Sequence, residues 1–202
     1  MATGYKLTAD TGSPVKDATQ YRSIVGALQY VVITRPDVVF VVNRVCQFMQ
    51  SPCDVHLQAV KRILRYLQAT IDFGLRFSAS PRLSLTGFAY ANCGSDADDR
   101  RSTSGYCIYF AGNLVSWGSR KHAVAICMNP ILRSKFKHVE LDMFFVREMV
   151  AAGKLYVQEV HAFEQVVDVL TKPLYAPMFF KHRQRLLVSQ IPEKSLISRV
   201  EE

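Results

Sequence analysis

A change of hydrophobic period near Asp72 divides this chain into two kinds of structure. Before that point apolar residues recur at helical spacing. In TQYRSIVGALQYVVI, Ile24, Val25, Leu28, Val31 and Val32 fall at i, i+1, i+4, i+7 and i+8, one face of a helix. Asp17 or Thr19 is placed to cap it. Arg35-Pro36 breaks that run, and Pro36 suits the first turn of a second helix, PDVVFVVNRVCQFMQ, which Ser51-Pro52 ends. CDVHLQAVKRILRYLQA is the clearest helix of the chain. Val60, Ile63, Leu64 and Leu67 form its apolar face; Lys61, Arg62, Arg65 and Gln68 form its polar one.

After Asp72 the period drops to two, as in half-buried strands. FGLRFSA and LSLTGFAY alternate, and SGYCIYF and NLVSWGS read as two further strands joined at Ala111-Gly112-Asn113. An irregular stretch from Arg120 to Lys135 leads to a helix, HVELDMFFVREMVAA, closed by Gly153. KLYVQEV reads as a strand. From Ala162 onward the pattern is helix or loop, with Pro173 and Pro177 as breaks, and the last dozen residues read as frayed. Residues before Thr19 have no period and read as a tail. The fold class expected is α+β.

Composition narrows the function classes. An apolar content of 49% with 21% charged residues supports a packed core rather than disorder. Lys and Arg number 25 against 17 Asp and Glu, a formal charge of +8. That balance favours polyanionic partners, since each neutralised phosphate releases a counterion; it also serves plain solubility. The five cysteines, Cys46, Cys53, Cys93, Cys107 and Cys127, show no CxxC pair and no zinc-like spacing with His, so they read as free thiols of a reducing compartment. The polar start, MATGYKLTADTGSP, has no secretory h-region, and the apolar run Val38 to Val42 is too short to span a bilayer. Cytoplasm or nucleus is the location expected, with no membrane and no small-molecule substrate.

Five segments then carry a specific resemblance. YRSIVGALQYVVITRPDVVFVVNRVCQFMQSP (Tyr21 to Pro52) and AVKRILRYLQATIDFGLRF (Ala59 to Phe77) resemble the end of the reverse transcriptase in copia-type retrotransposon Pol polyproteins. DDRRSTSGYCIYFAGNLVSWGSRK (Asp98 to Lys121), KHVELDMFFVRE (Lys137 to Glu148) and EQVVDVLTKPL (Glu164 to Leu174) resemble that family's ribonuclease H domain, in the family's order. The resemblance implies a tail over 1–18, a helical reverse-transcriptase end over 19–76, a truncated ribonuclease H-like domain over 77–190 and a second tail over 191–202. In the family, ribonuclease H carboxylates hold divalent ions, Mg²⁺, one of which activates water while the other stabilises the leaving oxygen.

The same resemblance shows what this chain lacks. The family's first catalytic strand ends in a run like SDADWAG. Here the aligned residues are Ala89 to Ser95, so that Tyr90 and Asn92 stand where two carboxylates belong. A phenol with a pKa of about 10 supplies no carboxylate at neutral pH. The family's helix with a run like SSTEAEY and its strand with a run like WCDN have no counterpart after Lys121. Judged against a usual helix-plus-strand unit, roughly forty residues are missing, which should leave an open sheet edge. Asp142, with His138 at i−4 and Glu140 near it, is the remaining metal-ligand candidate; a lone carboxylate seldom holds Mg²⁺. Asp96, Asp98 and Asp99, beside Arg100 and Arg101, read as a structural loop, and the lone His122 and His161 receive no role. The polymerase's paired-Asp motif of the family lies upstream of the matched segments, so these residues carry no polymerase site.

Three readings follow. The first is a catalytically inactive Pol-derived relic, with no cofactor. The second is a non-catalytic module that binds nucleic acid, such as an RNA–DNA hybrid, through Lys61, Arg62, Arg65, Arg100, Arg101, Arg133, Lys135 and Lys137, with Tyr66 or Tyr106 for base stacking. The third is a residual divalent-metal ribonuclease H, against which Tyr90 argues directly.

Overall fold

The computed structural model of the chain describes residues 7–9, 11–92, 102–122, 145 and 147–192. It is α+β: a run of helices is followed by two small antiparallel sheets with short helices against them. The loop with Asp96, Asp98 and Asp99, the expected start of the HVELD helix and the C-terminal residues expected to fray lie outside the described residues.

The helices follow their sequence signals closely. Helix α1, Ala18–Val31, is capped by Asp17, whose carboxylate accepts from Thr19 N–H and Gln20 N–H at 2.9 Å each. A 3-10 turn, Pro36–Val38, opens on the proline, where the missing N–H costs nothing, and leads into α2, Val39–Cys46. That helix stops at Cys46, short of Gln50. Helix α3, Asp54–Ala69, buries Val60 and Ile63, but Leu64, expected on the same face, is 39% exposed. The apolar stripe is narrower than the sequence suggests, and Leu64 lies on its flank toward Lys61. Together the three helices enclose Tyr21, Val25, Leu28, Val38, Val42, Val45, Val60 and Ile63, a core whose fully buried side chains are each worth about 1.5–3 kcal/mol.

The larger sheet is an antiparallel meander of β2, Leu85–Asn92, β3, Ser102–Phe110, and β4, Asn113–His122. Its β3–β4 turn has Ala111 at φ 49° and Gly112 at φ 78°, the paired positive angles of a type I′ hairpin. Among the described residues nothing pairs with β2 on the side away from β3, the side on which a missing strand would leave an open edge. The smaller sheet joins β1, Phe73–Leu75, to β5, Val188–Gln190, with Gly74 opposite Ser189. Sequence alternation foretold a longer β1, to Ala79, and did not reveal β5, whose three residues are too short to show a period.

Three other expectations meet the structure here. Gly153, at φ 67°, closes the helical stretch 147–151: its N–H bonds Val150 O at 3.0 Å and Lys154 N–H bonds Met149 O at 2.9 Å, a Schellman motif. Pro177 does not break structure but starts helix α5, Ala176–Arg185. KLYVQEV is no strand in the structure; it is largely exposed, and residues 156–160 have no backbone hydrogen bond among the described residues, because alternation sets a face but supplies no partner for the backbone N–H and C=O groups.

A second core forms between the sheets. Helix α4, Asp168–Thr171, packs on β3 and β2, and Val166, Val167, Val169, Leu170, Leu174, Phe179 and Leu186 gather around Cys107 and Leu114. The approach of α4 depends on Gly105: a Cβ there would lie 2.9 Å from both Thr171 Cγ2 and Val167 Cγ1.

The two cores meet at a buried polar clamp. Arg35 grips Asp37 through two hydrogen bonds, Nε to Oδ1 and Nη2 to Oδ2, both 2.9 Å. Its Nη1 and Nη2 also donate to Thr70 O and Oγ1 at 3.0 and 2.9 Å. Tyr66 donates to Asp37 Oδ2 at 2.6 Å and accepts from Arg183 Nη1 at 3.1 Å. Burial, reinforced by the Asp37 charge, pushes the Tyr66 phenol up to about 12, so it remains a donor. Beside the clamp, Trp117 Nε1 donates to Val32 O at 3.1 Å, tying β4 to the end of α1.

Asp37→Ala leaves Arg35 charged and buried, and is expected to cost about 3–5 kcal/mol, read by denaturant titration of the fluorescence of Trp117, the chain's single tryptophan. Ala111→Gly, which relieves a left-handed residue carrying a Cβ, is expected to stabilise by about 1 kcal/mol in the same assay.

Candidate functional site

Tyr90 and Asn92 lie on the inner face of β2, opposite Gly105 and Thr103 of β3 and toward α4. The half-buried Tyr90 ring packs on the second core. Lys172, one residue past α4, places its ammonium 4.9 Å from the Tyr90 ring centre and 2.9 Å from Asp168 Oδ2. A buried carboxylate, an ammonium and a phenol ring thus share the ground where the resemblance puts metal ligands. Gln165 closes the same corner, donating from Nε2 to Ala89 O at 3.4 Å. Among the described residues no group of three His, Cys, Asp or Glu side chains is arranged to hold a metal ion.

Asp168 and Lys172 were not singled out from sequence, although one signal was there. Asp168 sits inside the apolar run Val166 to Leu170 and is 4% exposed. A charged residue within such a run must be paired, and Lys172 at i+4 pairs it. Asp168 Oδ1 has no hydrogen-bond partner, nor has either ring nitrogen of His182, a fully buried residue of α5. The other buried histidine, His56, is satisfied: Nδ1 accepts from Cys53 N–H at 2.9 Å and Nε2 lies 3.0 Å from Thr8 O. Burial holds His182 below its ordinary value; Arg185 and Lys181 act in the same direction, while Asp168 and Glu164 oppose them.

The basic candidates divide sharply. Lys61, Arg62 and Arg65 are exposed along one side of α3, where with Gln58, Leu64 and Gln68 they line an open groove of about 450 Å³. Arg100, Arg101, Arg133, Lys135 and Lys137, and the metal candidate Asp142, lie outside the described residues. Tyr66 does not serve for stacking, because its hydroxyl and ring are committed to the clamp and to an edge contact with Phe179 at 5.7 Å. Tyr106 is 38% exposed on the outer face of the sheet, its ring lying against Gly118 of β4.

Set against known proteins, the chain is 34% identical over 240 residues to a retrovirus-related Pol polyprotein from transposon RE2 of Arabidopsis thaliana, a match covering 95% of the chain. It belongs to the Pol polyproteins of copia-type retrotransposons. A Pol polyprotein from transposon TNT 1-94 of Nicotiana tabacum is 28% identical over 75% of the chain, and a secreted RxLR effector protein 161 of Plasmopara viticola is 46% identical over 50% of it. The chain spans 16% of the RE2 polyprotein and 15% of the TNT 1-94 one. The RE2 match, at 240 residues, is longer than the 202-residue chain, so that relative carries sequence with no counterpart here. No family model and no solved structure matches. Among the described residues, no helix of this Pol-family chain is long and apolar enough to cross a membrane.

The depressed His182 has a measurable sign. In the unfolded chain it takes a proton at about pH 6.5, whereas in the fold it does so only at lower pH, so stability should be flat above that value and decline as pH falls through it, by up to about 1.4 kcal/mol per pH unit. His182→Leu should remove this share of the decline, as followed by thermal melts across pH 5 to 8, on the order of the range where histidine titrates.

Proposed function

We propose that this Pol-family chain carries out no divalent-metal nuclease chemistry. The observation that carries the reading is the Lys172 ammonium, bonded to Asp168 beside Tyr90. Metal-assisted phosphodiester cleavage needs several carboxylates around two cations, so that hard oxygen ligands balance their charge. Here a phenol and an amide stand at two such positions, and the nearby carboxylate is neutralised by a lysine. These residues do not fit a Mg²⁺ pair. Sequence present in the RE2 relative but not in this chain supports the same reading, in keeping with the resemblance, which implies a missing helix and strand with two more carboxylates after Lys121.

A second reading, a nucleic-acid-binding module, is favoured by the α3 groove. Lys61, Arg62 and Arg65 turn to one side of the helix, and the only acidic residue of α3, Asp54, lies in its first turn. Cations so arranged suit successive phosphates of a backbone, which they would grip without reading sequence.

Incubation with an RNA–DNA hybrid and Mg²⁺ should yield no cleavage. Cleavage that disappears in Asp142→Asn or Asp168→Asn would overturn the first reading. For the second, hybrid binding measured across salt concentrations should weaken steeply as salt rises. The triple variant Lys61→Gln, Arg62→Gln, Arg65→Gln should reduce the salt slope by about three, one for each phosphate no longer neutralised. An unchanged slope would remove α3 from the interface.

A further inference from the structure

Two features of the fold complement each other, and among the described residues each is only partly engaged within it. The first is the edge of β2. Ala111 N–H donates to Ser84 O at 2.8 Å, which fixes the phase of the ladder: even-numbered residues of β2 bond to β3, and Leu85, Gly87, Ala89 and Ala91 turn their N–H and C=O groups outward. Of these groups, Ala89 O is engaged, by Gln165. The sequence of β2, LTGFAYAN, carries no charge, proline or bulge of the kind that blocks strand addition. The second feature is residues 154–160, KLYVQEV. Tyr156 and Val157, residues of high strand propensity, are 84% and 63% exposed, and among the described residues no backbone hydrogen bond involves 156–160.

We propose that two copies of this chain exchange strands, residues 156–160 of each adding to the open edge of β2 of the other. The lengths are compatible: five residues of extended chain reach about 17 Å, within the roughly 26 Å of the eight residues of β2. The segment is also held at both ends. Upstream, the Schellman turn at Gly153 bonds Lys154 and Leu155 back to Met149. Downstream, Lys181 Nζ holds Phe163 O at 3.0 Å, Arg185 holds Glu164 O at 2.6 Å, and Gln165 is fixed at Ala89. Between those anchors, residues 156–160 have no backbone partner among the described residues and are available to a second molecule. The pairing is isologous, each copy giving one segment and receiving one, so it closes at a dimer instead of running on into fibres.

Sedimentation equilibrium of the full chain tests this, with two single variants. Gly87→Pro removes an outward N–H and leaves every β2–β3 bond in place, and a Cβ at Gly87 meets nothing within 4 Å. Val157→Pro removes an N–H that has no described partner. Both should keep the parent's circular dichroism. The parent should sediment as a dimer and each variant as a monomer. An equimolar mixture of the two should shift toward dimer relative to either variant alone, because one of its two junctions joins an intact segment to an intact edge. A monomeric parent overturns the proposal. So does a dimer that survives Val157→Pro, which would mean edge-to-edge pairing of β2, and so does a mixture no more associated than either variant alone.

Discussion

The Arg35–Asp37 pair holds this molecule together across the seam between its helices and its sheets. Arg35 follows α1, Asp37 sits in the 3-10 turn before α2, Thr70 ends α3, and Arg183, reached through Tyr66, belongs to α5. One buried ion pair therefore fixes the mutual placement of four helices. Such a pair stabilises little in itself, because desolvation offsets most of the attraction; its value lies in the cost of any arrangement that separates the partners. Burial lowers the Arg35 pKa and its bonds to Asp37 more than reverse this, so the charge persists. Tyr66 touches both hydrophobic cores, and through it the packing of α1–α3 depends on the sheets, and theirs on α1–α3.

Much of this was legible in the residues. The three N-terminal helices announced themselves because each carries enough turns for a 3.6-residue period to emerge, and because Asp17, Pro36 and the Ser51-Pro52 break punctuate them. The β3–β4 hairpin was legible from alternation around Ala111-Gly112. What failed was pairing. Alternation in KLYVQEV and in residues 76–79 says which side of a strand would be buried, but nothing about whether a neighbouring strand exists. Conversely, β1 and β5 find each other across more than a hundred residues and are too short to be recognised alone.

The candidate site shows the same division. Tyr90 and Asn92 were found by position within a recognised run, and both lie on the inner face of β2. The residues that explain their surroundings, Asp168 and Lys172, come from a distant segment, and only the close approach of α4 over Gly105 brings them there. The basic ridge of α3 was readable because a helix keeps sequence neighbours together in space. Tyr66, placed by the same logic among candidates for base stacking, instead faces inward, since a tyrosine at the rim of an apolar stripe is drawn to a buried acceptor.

The pairing of β1 with β5 has a consequence for how the chain is made. Phe73 is opposite Gln190, and the core beneath it is lined by Leu186 and Val188. Until residue 190 has left the ribosome, the first strand has no mate and the sheet's inner surface has no complete cover. The helical third, whose contacts are local, can form as it emerges; the rest must wait, with β2 already synthesised and its edge unpaired. The order of synthesis thus places the most adhesive part of this protein in the longest delay.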